Sequence, residues 1–193
     1  MPASSTKNHL SSFSATLKYA FVLGLVVLTR LIPRPPNVEP VMASTLPFAR
    51  SHGKLAGFAF AFLSMLLLDG VQGRLGLWTL YTAVVYGVVG YAAAAYLQNR
   101  VKISRWRYAS FAVVGTLFYD VITAFLFGLQ FQMPWPVVIA GQIPFTLYHL
   151  LGNVFLCAFV SPLLAKYVVD NPALSFEPSE AVRARPAPAR ARI

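Results

Sequence analysis

Asp120 is a carboxylate in the middle of an apolar stretch, residues 108–129. A charged group at such a position is normally paired with another polar group, or faces a cavity where it binds a ligand or carries a proton. His149 and Asn153 lie one helical turn apart in the last apolar stretch. They can hydrogen-bond between helices, and His149 can also form a proton relay with Asp120. Structural pairing, ligand binding and proton transfer therefore all remain open for these side chains.

A second set of polar residues begins in a proline-rich passage, residues 30–42, which carries Asn37 and Glu39. Its four prolines remove backbone donors, end the preceding helix and keep the chain extended, so it loses little entropy when it closes over a ligand. Asp69 ends a later apolar run, at a depth comparable to that of Asp120. We expect these four polar residues to share one binding site, although Glu39 and Asp69 also suit a solvated rim.

Aromatic and amide side chains near the same depth can complete a pocket for a heterocyclic solute. Trp78, Tyr119, Trp135 and Gln142 offer flat apolar surfaces together with hydrogen-bonding groups. The predicted solute contacts are therefore Asn37, Glu39, Asp69, Trp78, Tyr119, Asp120, Trp135, Gln142, His149 and Asn153.

Long apolar runs must position these residues. The chain has 193 residues, of which 57% are hydrophobic and 11% charged, with a mean hydropathy of +0.61. A soluble domain of this size has no core large enough to hide such runs, so we predict an all-α membrane protein. The expected bundle has about six transmembrane helices, with a polar loop after the first: residues 15–32, 40–49, 53–70, 77–97, 108–129 and 137–169.

The second of these segments is unusually short. A dozen helical residues cover only ~18 Å of a hydrocarbon layer about 30 Å thick. Either this segment does not cross the membrane, or Asn37 and Glu39 begin inside it, in a cavity lined by protein.

The two ends of the chain have a different composition from the six-helix domain, residues 15–169. Residues 1–14 are rich in Ser and Thr and are expected to be disordered. Residues 170–193 carry four arginines among Pro and Ala, which predicts a disordered basic tail attracted to anionic lipid. The sequence shows no folded basic domain of the kind that binds nucleic acid, so we do not expect nucleic acid as a partner.

Basic residues are distributed unequally between the expected loops. Six crossings with the N-terminus inside place 13 of the 16 Lys and Arg residues in the cytoplasm, as the positive-inside rule requires. Five crossings with the N-terminus outside give the same division, so charge alone leaves the first two segments open.

The first helix carries two small residues, Ala20 and Gly24, four positions apart on one face. Such spacing lets another helix approach closely. The neighbour is either another helix of this chain or a partner protein.

Several of these segments together resemble the substrate-specific (S) components of energy-coupling factor (ECF) transporters. The resemblance is carried by the short second helix, by PNVEP at 36–40, by LFYDVITAFLFG at 117–128 and by IPFTLYHLLGN at 143–153. It implies a multi-pass protein of a prokaryotic cell membrane with both termini in the cytoplasm. It also implies capture of a vitamin or similar micronutrient beneath the loop after the first helix, and docking of the Ala20 and Gly24 face on a transmembrane coupling subunit.

Motifs of the common enzymes are missing from the sequence. It has no GxxxxGK[ST] phosphate loop, so ATP-driven work requires separate ATPase subunits, and no HExxH, Cys/His metal cluster or GxSxG elbow. We therefore expect neither catalysis nor a metal or other cofactor. The alternatives to a binding subunit are a self-sufficient proton-coupled carrier, in which Asp120 and His149 relay protons, and a structural assembly protein of the membrane.

Overall fold

The computed structural model describes residues 3–33, 35, 37–98 and 103–174. The described part of the chain is helical with short connections and contains no strand, which confirms the all-α class. The principal helices are α1 (Ala3–Leu28), α2 (Val41–His52), α3 (Lys54–Val71), α4 (Leu77–Leu97), α5 (Arg105–Gln130) and α6 (Trp135–Leu164). A π-helical segment, Ala165–Val169, continues α6.

Four helices of the described residues are long and apolar enough to cross a membrane, as expected for a membrane-embedded protein. They are Lys54–Val71, Leu77–Leu97, Arg105–Gln130 and Trp135–Val169. The apolar part of α1, Ser14–Leu28, is shorter, and α2 has only 12 residues. Many large side chains of the long helices point outward, including Val114, Phe155 and Leu163.

The short helix α2 lies in the centre of the bundle. Its residues Val41 to Ala49 are all buried, and it contacts α1, α3, α4, α5 and α6. A helix without a polar face can be buried on every side, and α2 carries mainly small or apolar residues over this length. The bundle is therefore built around α2.

Pro47 is tolerated inside α2 because a side chain replaces the hydrogen bond that it removes. Proline has no N–H, so the carbonyl of Ala43, four residues earlier, loses its helical donor. The hydroxyl of Ser161 in α6 donates to that carbonyl oxygen at 2.8 Å. The buried acceptor is thus satisfied from a neighbouring helix, as membrane helices with proline require.

Helices α3 and α4 make the most extensive helix pair and touch through their backbones. A Cβ placed on Gly57 would overlap the carbonyl oxygen of Gly90, and a Cβ on Gly90 would overlap that of Gly57. Only glycine at both positions allows this close crossing.

The N-terminal segment differs from the expectation. Helix α1 begins at Ala3, so residues 3–14 are helical rather than disordered. Ser and Thr cost less than about 0.7 kcal/mol per residue in a helix relative to Ala, so a polar composition alone does not prevent a helix. Most of the expected disordered tail, residues 175–193, lies outside the described residues.

The described end of the chain is fastened to α1 and α2. The ammonium group of Lys18 donates to the carbonyl oxygens of Val169 and Asn171, at 3.1 and 3.2 Å. Asp170 forms an ion pair with Arg50 and accepts a hydrogen bond from Ser51 at 2.9 Å. These contacts lie at the C-terminal end of α2, and the candidate site lies at its N-terminal end.

Candidate functional site

A polar cavity of about 260 Å³ opens between the loop after α1 and helices α3 to α6. Six of the ten predicted solute contacts line it: Asn37, Glu39, Asp69, Trp78, Tyr119 and His149. The other lining residues are Val41, Met65, Leu68, Arg74, Thr82, Tyr86 and Phe145. Residues that are distant in the sequence thus meet in one place.

The loop that carries Asn37 and Glu39 is packed against α6. Asn37 adopts φ = 61°, a left-handed conformation that Asn tolerates better than most residues, and its amide donates to the carbonyl oxygen of Phe145 at 3.4 Å. A Cβ on Gly152 would lie 3.2 Å from Val38 Cα, so the glycine gives the loop room to lie on the helix. These contacts place the Glu39 side chain at the cavity wall.

Asp69 joins the cavity to the connection between α3 and α4. Its carboxylate accepts a hydrogen bond from the Thr79 hydroxyl at 2.7 Å, and its backbone oxygen accepts one from the amide of Arg74 at 3.0 Å. Asp69 therefore holds the turn and lines the cavity at once. The turn also brings the Arg74 side chain to the cavity wall, where it is hydrogen-bonded to Gln72.

An aromatic cluster forms the deeper wall. The rings of Tyr86 and Tyr119 meet edge to face, with centroids 4.7 Å apart. Tyr119 and Phe145 each lie 5.7 Å from the His149 ring, at steep angles. Rings in such arrangements are held in fixed orientations and present flat faces to a bound solute.

Asp120 lies behind His149 and does not line the cavity. Its Oδ1 is 2.7 Å from His149 Nδ1, and the side chain is 1% exposed. Within the described part of the chain, its Oδ2 has no hydrogen-bond partner. A neutral His149 that donates from Nδ1 keeps Nε2 as an acceptor, so Asp120 orients the ring and fixes its tautomer.

Three predicted contacts lie away from this cavity. Asn153 is buried and donates to the Thr116 hydroxyl at 2.9 Å, which makes it a link between α5 and α6. Gln142 donates to Thr146 at 2.9 Å, and Trp135 stacks on Phe125 with centroids 5.5 Å apart.

Helical geometry explains two of these positions. Trp135, Gln142 and His149 recur at seven-residue intervals, which place them on nearly the same face of α6 but about 10 Å apart along its axis. Of the residues on this face of α6, only those near His149 therefore reach the cavity.

The sequence analysis missed several cavity residues that a helical pattern connects. Trp78, Thr82 and Tyr86 follow each other at four-residue intervals on α4. Met65 and Asp69 on α3, like Phe145 and His149 on α6, show the same interval. Extending each predicted contact by one turn would have found Met65, Thr82 and Phe145, and a second turn along α4 would have found Tyr86.

The two small residues of α1 lie on its exposed surface. Ala20 and Gly24 are both exposed, and a Cβ on Gly24 would meet no described atom within 4 Å. In the described structure, the pair therefore does not serve close helix packing inside this chain.

Comparison with known proteins finds no family model and no curated protein that matches this chain.

Proposed function

We propose that this protein is a membrane-embedded binding subunit for a vitamin or similar small micronutrient, energised by separate coupling and ATPase subunits. The observation that carries the proposal is the convergence of six predicted contacts, from the loop and four helices, on one polar cavity in an apolar bundle. The resemblance to S components of ECF transporters supports the same function.

The cavity is suited to a small solute. Polar groups buried in a membrane domain are costly and are typically retained for function. Pockets for small molecules measure about 300–1,000 Å³ and combine apolar walls with a few fixed polar groups. The present cavity is slightly smaller than that range. It combines carboxylates, a guanidinium group and aromatic rings, and the loop carrying Asn37 and Glu39 forms part of its wall.

The proposal includes the setting of the protein. It is a multi-pass protein of a prokaryotic cell membrane with both termini in the cytoplasm, and the exposed Ala20 and Gly24 face of α1 docks on the coupling subunit. The asymmetric distribution of basic residues and the absence of a described neighbour on that face support this arrangement.

Native mass spectrometry of the purified protein tests solute binding directly, because a captured solute adds a defined mass. Asn37→Ala and Glu39→Gln should each weaken binding of that solute by roughly five- to a hundredfold, since each removes a contact worth ~1–3 kcal/mol in a desolvated site. Asn171→Ala, at the opposite end of the bundle, is the matched control and should bind normally. Unchanged binding in both cavity variants would move the site elsewhere.

Gly24→Leu tests the docking face. The added side chain enters open space, so the isolated protein should fold and bind its solute normally. It should nevertheless fail to co-purify with the coupling and ATPase subunits, because bulk prevents close helix approach. Gly24→Ala, a smaller change at the same position, should have a weaker effect. Normal assembly of Gly24→Leu would exclude this face.

A second candidate function, a proton-coupled carrier, is favoured by the buried Asp120 and His149 pair. One carboxylate oxygen without a described partner is a possible proton site. Vesicles containing only this protein and an internal pH-sensitive dye distinguish the two functions. Acidification upon addition of the identified solute, abolished by Asp120→Asn, would establish the carrier; a binding subunit alone gives no signal.

A further inference from the structure

We propose that the solute of this site is amphipathic: a polar head with N–H or O–H donors occupies the cavity, and a ring-sized apolar part occupies an adjoining compartment. This inference rests on the proposed function and specifies the chemistry of its solute.

The adjoining compartment lies between α4, α5 and α6 and measures about 410 Å³. Phe127, Met133, Val137 and Val138 form much of its lining, together with Gly141. Most of this surface is apolar, in contrast to the cavity with its two carboxylates and one guanidinium group. The two spaces therefore favour different chemical groups.

Three aromatic residues line both spaces and so place them side by side: Trp78, Tyr119 and Phe145. On the side of the compartment, Trp78 meets Phe127 edge to face, with centroids 5.5 Å apart. On the side of the cavity, Tyr119 and Phe145 meet His149. A molecule lying along this shared wall places one part in each space.

The lining of the cavity indicates the chemistry of the head. Glu39 and Asp69 provide two carboxylates, Arg74 provides one guanidinium group, and Trp78 and Tyr86 add aromatic rings. Because the carboxylates outnumber the guanidinium group by two to one, such a set suits an amine or amidine better than a carboxylate. A purely polar solute would use this half alone and leave the apolar compartment without a function.

Matched probes test both halves of the inference by calorimetry on the purified full-length protein. Tryptamine carries a ring and an ammonium head, whereas indole lacks the head, ethylamine lacks the ring and indole-3-propionate reverses the charge. We expect tryptamine to bind at least about tenfold more tightly than each of the other three, because only it fills both spaces with matching chemistry. Absence of tryptamine binding, or equal binding of ethylamine, indole or indole-3-propionate, overturns the inference.

Gly141→Leu tests the compartment itself. Gly141 lines the compartment, and a Cβ placed on it meets no described atom within 4 Å, so a larger side chain at this position should take up part of the compartment. It should weaken tryptamine binding about tenfold or more and leave ethylamine binding unchanged. Gly24→Leu, the same substitution at an exposed glycine of α1, is the control and should leave both unchanged. Tryptamine binding that is insensitive to Gly141→Leu overturns the inference.

Native mass spectrometry separates failure of this inference from failure of the proposed function. A retained solute without an apolar part would preserve solute binding and overturn the two-compartment site. No retained solute and no bound probe would contradict both.

Discussion

Asp120 is held on one side by His149, while its other oxygen meets no hydrogen-bonding partner among the described residues. Removing one member of a buried pair leaves the other unsatisfied, which costs more than the net worth of the pair. The role of position 120 is therefore best tested by comparing a substitution that keeps a hydrogen-bond acceptor for His149 with one that removes it.

Asp120→Asn keeps an oxygen for His149 Nδ1, so we expect little change in thermal stability. Asp120→Ala removes that oxygen and should destabilise the protein by ~1–3 kcal/mol, because a buried imidazole N–H loses its partner. Thermal unfolding of both variants in the same detergent gives the comparison. Equal stability of Asp120→Ala and the unsubstituted protein would show that the pair does not hold the fold.

At the scale of single residues, polarity in an apolar stretch does not by itself predict a cavity residue, because Asp120 and Asn153 are such residues and neither lines the cavity. Asp69 and His149 stand out in the sequence and line the cavity. Trp135 suits a pocket equally well, but it lies two seven-residue intervals before His149, at the start of α6. The link between Asn153 and Thr116 depends on how α5 and α6 are rotated against each other. Such rotation is fixed by packing, which the sequence of either helix alone does not contain.

Among the contacts between helices, the hydrogen bond from Ser161 to the Ala43 carbonyl has a specific cause in Pro47. Ser161→Ala should destabilise the protein by ~1–3 kcal/mol, because the buried carbonyl then has no donor. In a Pro47→Ala background the backbone N–H of residue 47 returns as a donor, so the same serine substitution should cost less. A double-mutant cycle measured by thermal unfolding gives the coupling. Equal costs in both backgrounds would contradict this explanation.

The crossing of α3 and α4 supplies a second test. Gly90→Ala should destabilise the protein by ~1–3 kcal/mol or more, because the new Cβ overlaps the Gly57 carbonyl and the two backbones must separate. Gly24→Ala makes the same chemical change where no described atom lies within 4 Å and should have little effect. Ala is a better helix former than Gly, so helix propensity alone predicts a small gain at both positions. Equal effects of the two substitutions would therefore show that the contact with Gly57 does not require glycine at position 90.

Element boundaries were predictable where glycine or polar turns end an apolar run. The predicted fourth helix, residues 77–97, is confirmed as Leu77–Leu97, after the turn around Gly73 and Gly76. The predicted first span, residues 15–32, begins close to the apolar part of α1, Ser14–Leu28, but hydropathy does not detect the polar turns that precede it in the helix. Short length marked α2 as unusual, but its central position follows from contacts with five other helices.

For the whole molecule, the distribution of 13 basic residues on one side and three on the other predicts a cytoplasmic Arg105 end and a cytoplasmic C-terminus. Cysteines introduced at Ser104 and Ser179, in a Cys157→Ala background, should resist impermeant thiol reagents in intact cells. A cysteine at Arg74, on the opposite side in this topology, should react and serves as the control. Ready labelling at 104 or 179 would overturn the orientation.

The buried position of α2 also bears on how the protein is made. Nine consecutive residues of this helix are enclosed by neighbours, and Ser161, which satisfies its freed carbonyl, is separated from Ala43 by 118 positions. When α2 leaves the ribosome, most of the surfaces that enclose it have not yet been synthesised. Helix α2 can reach its final packing only after α6 has been inserted. This early segment of the chain must therefore be among the last to complete its packing during biogenesis.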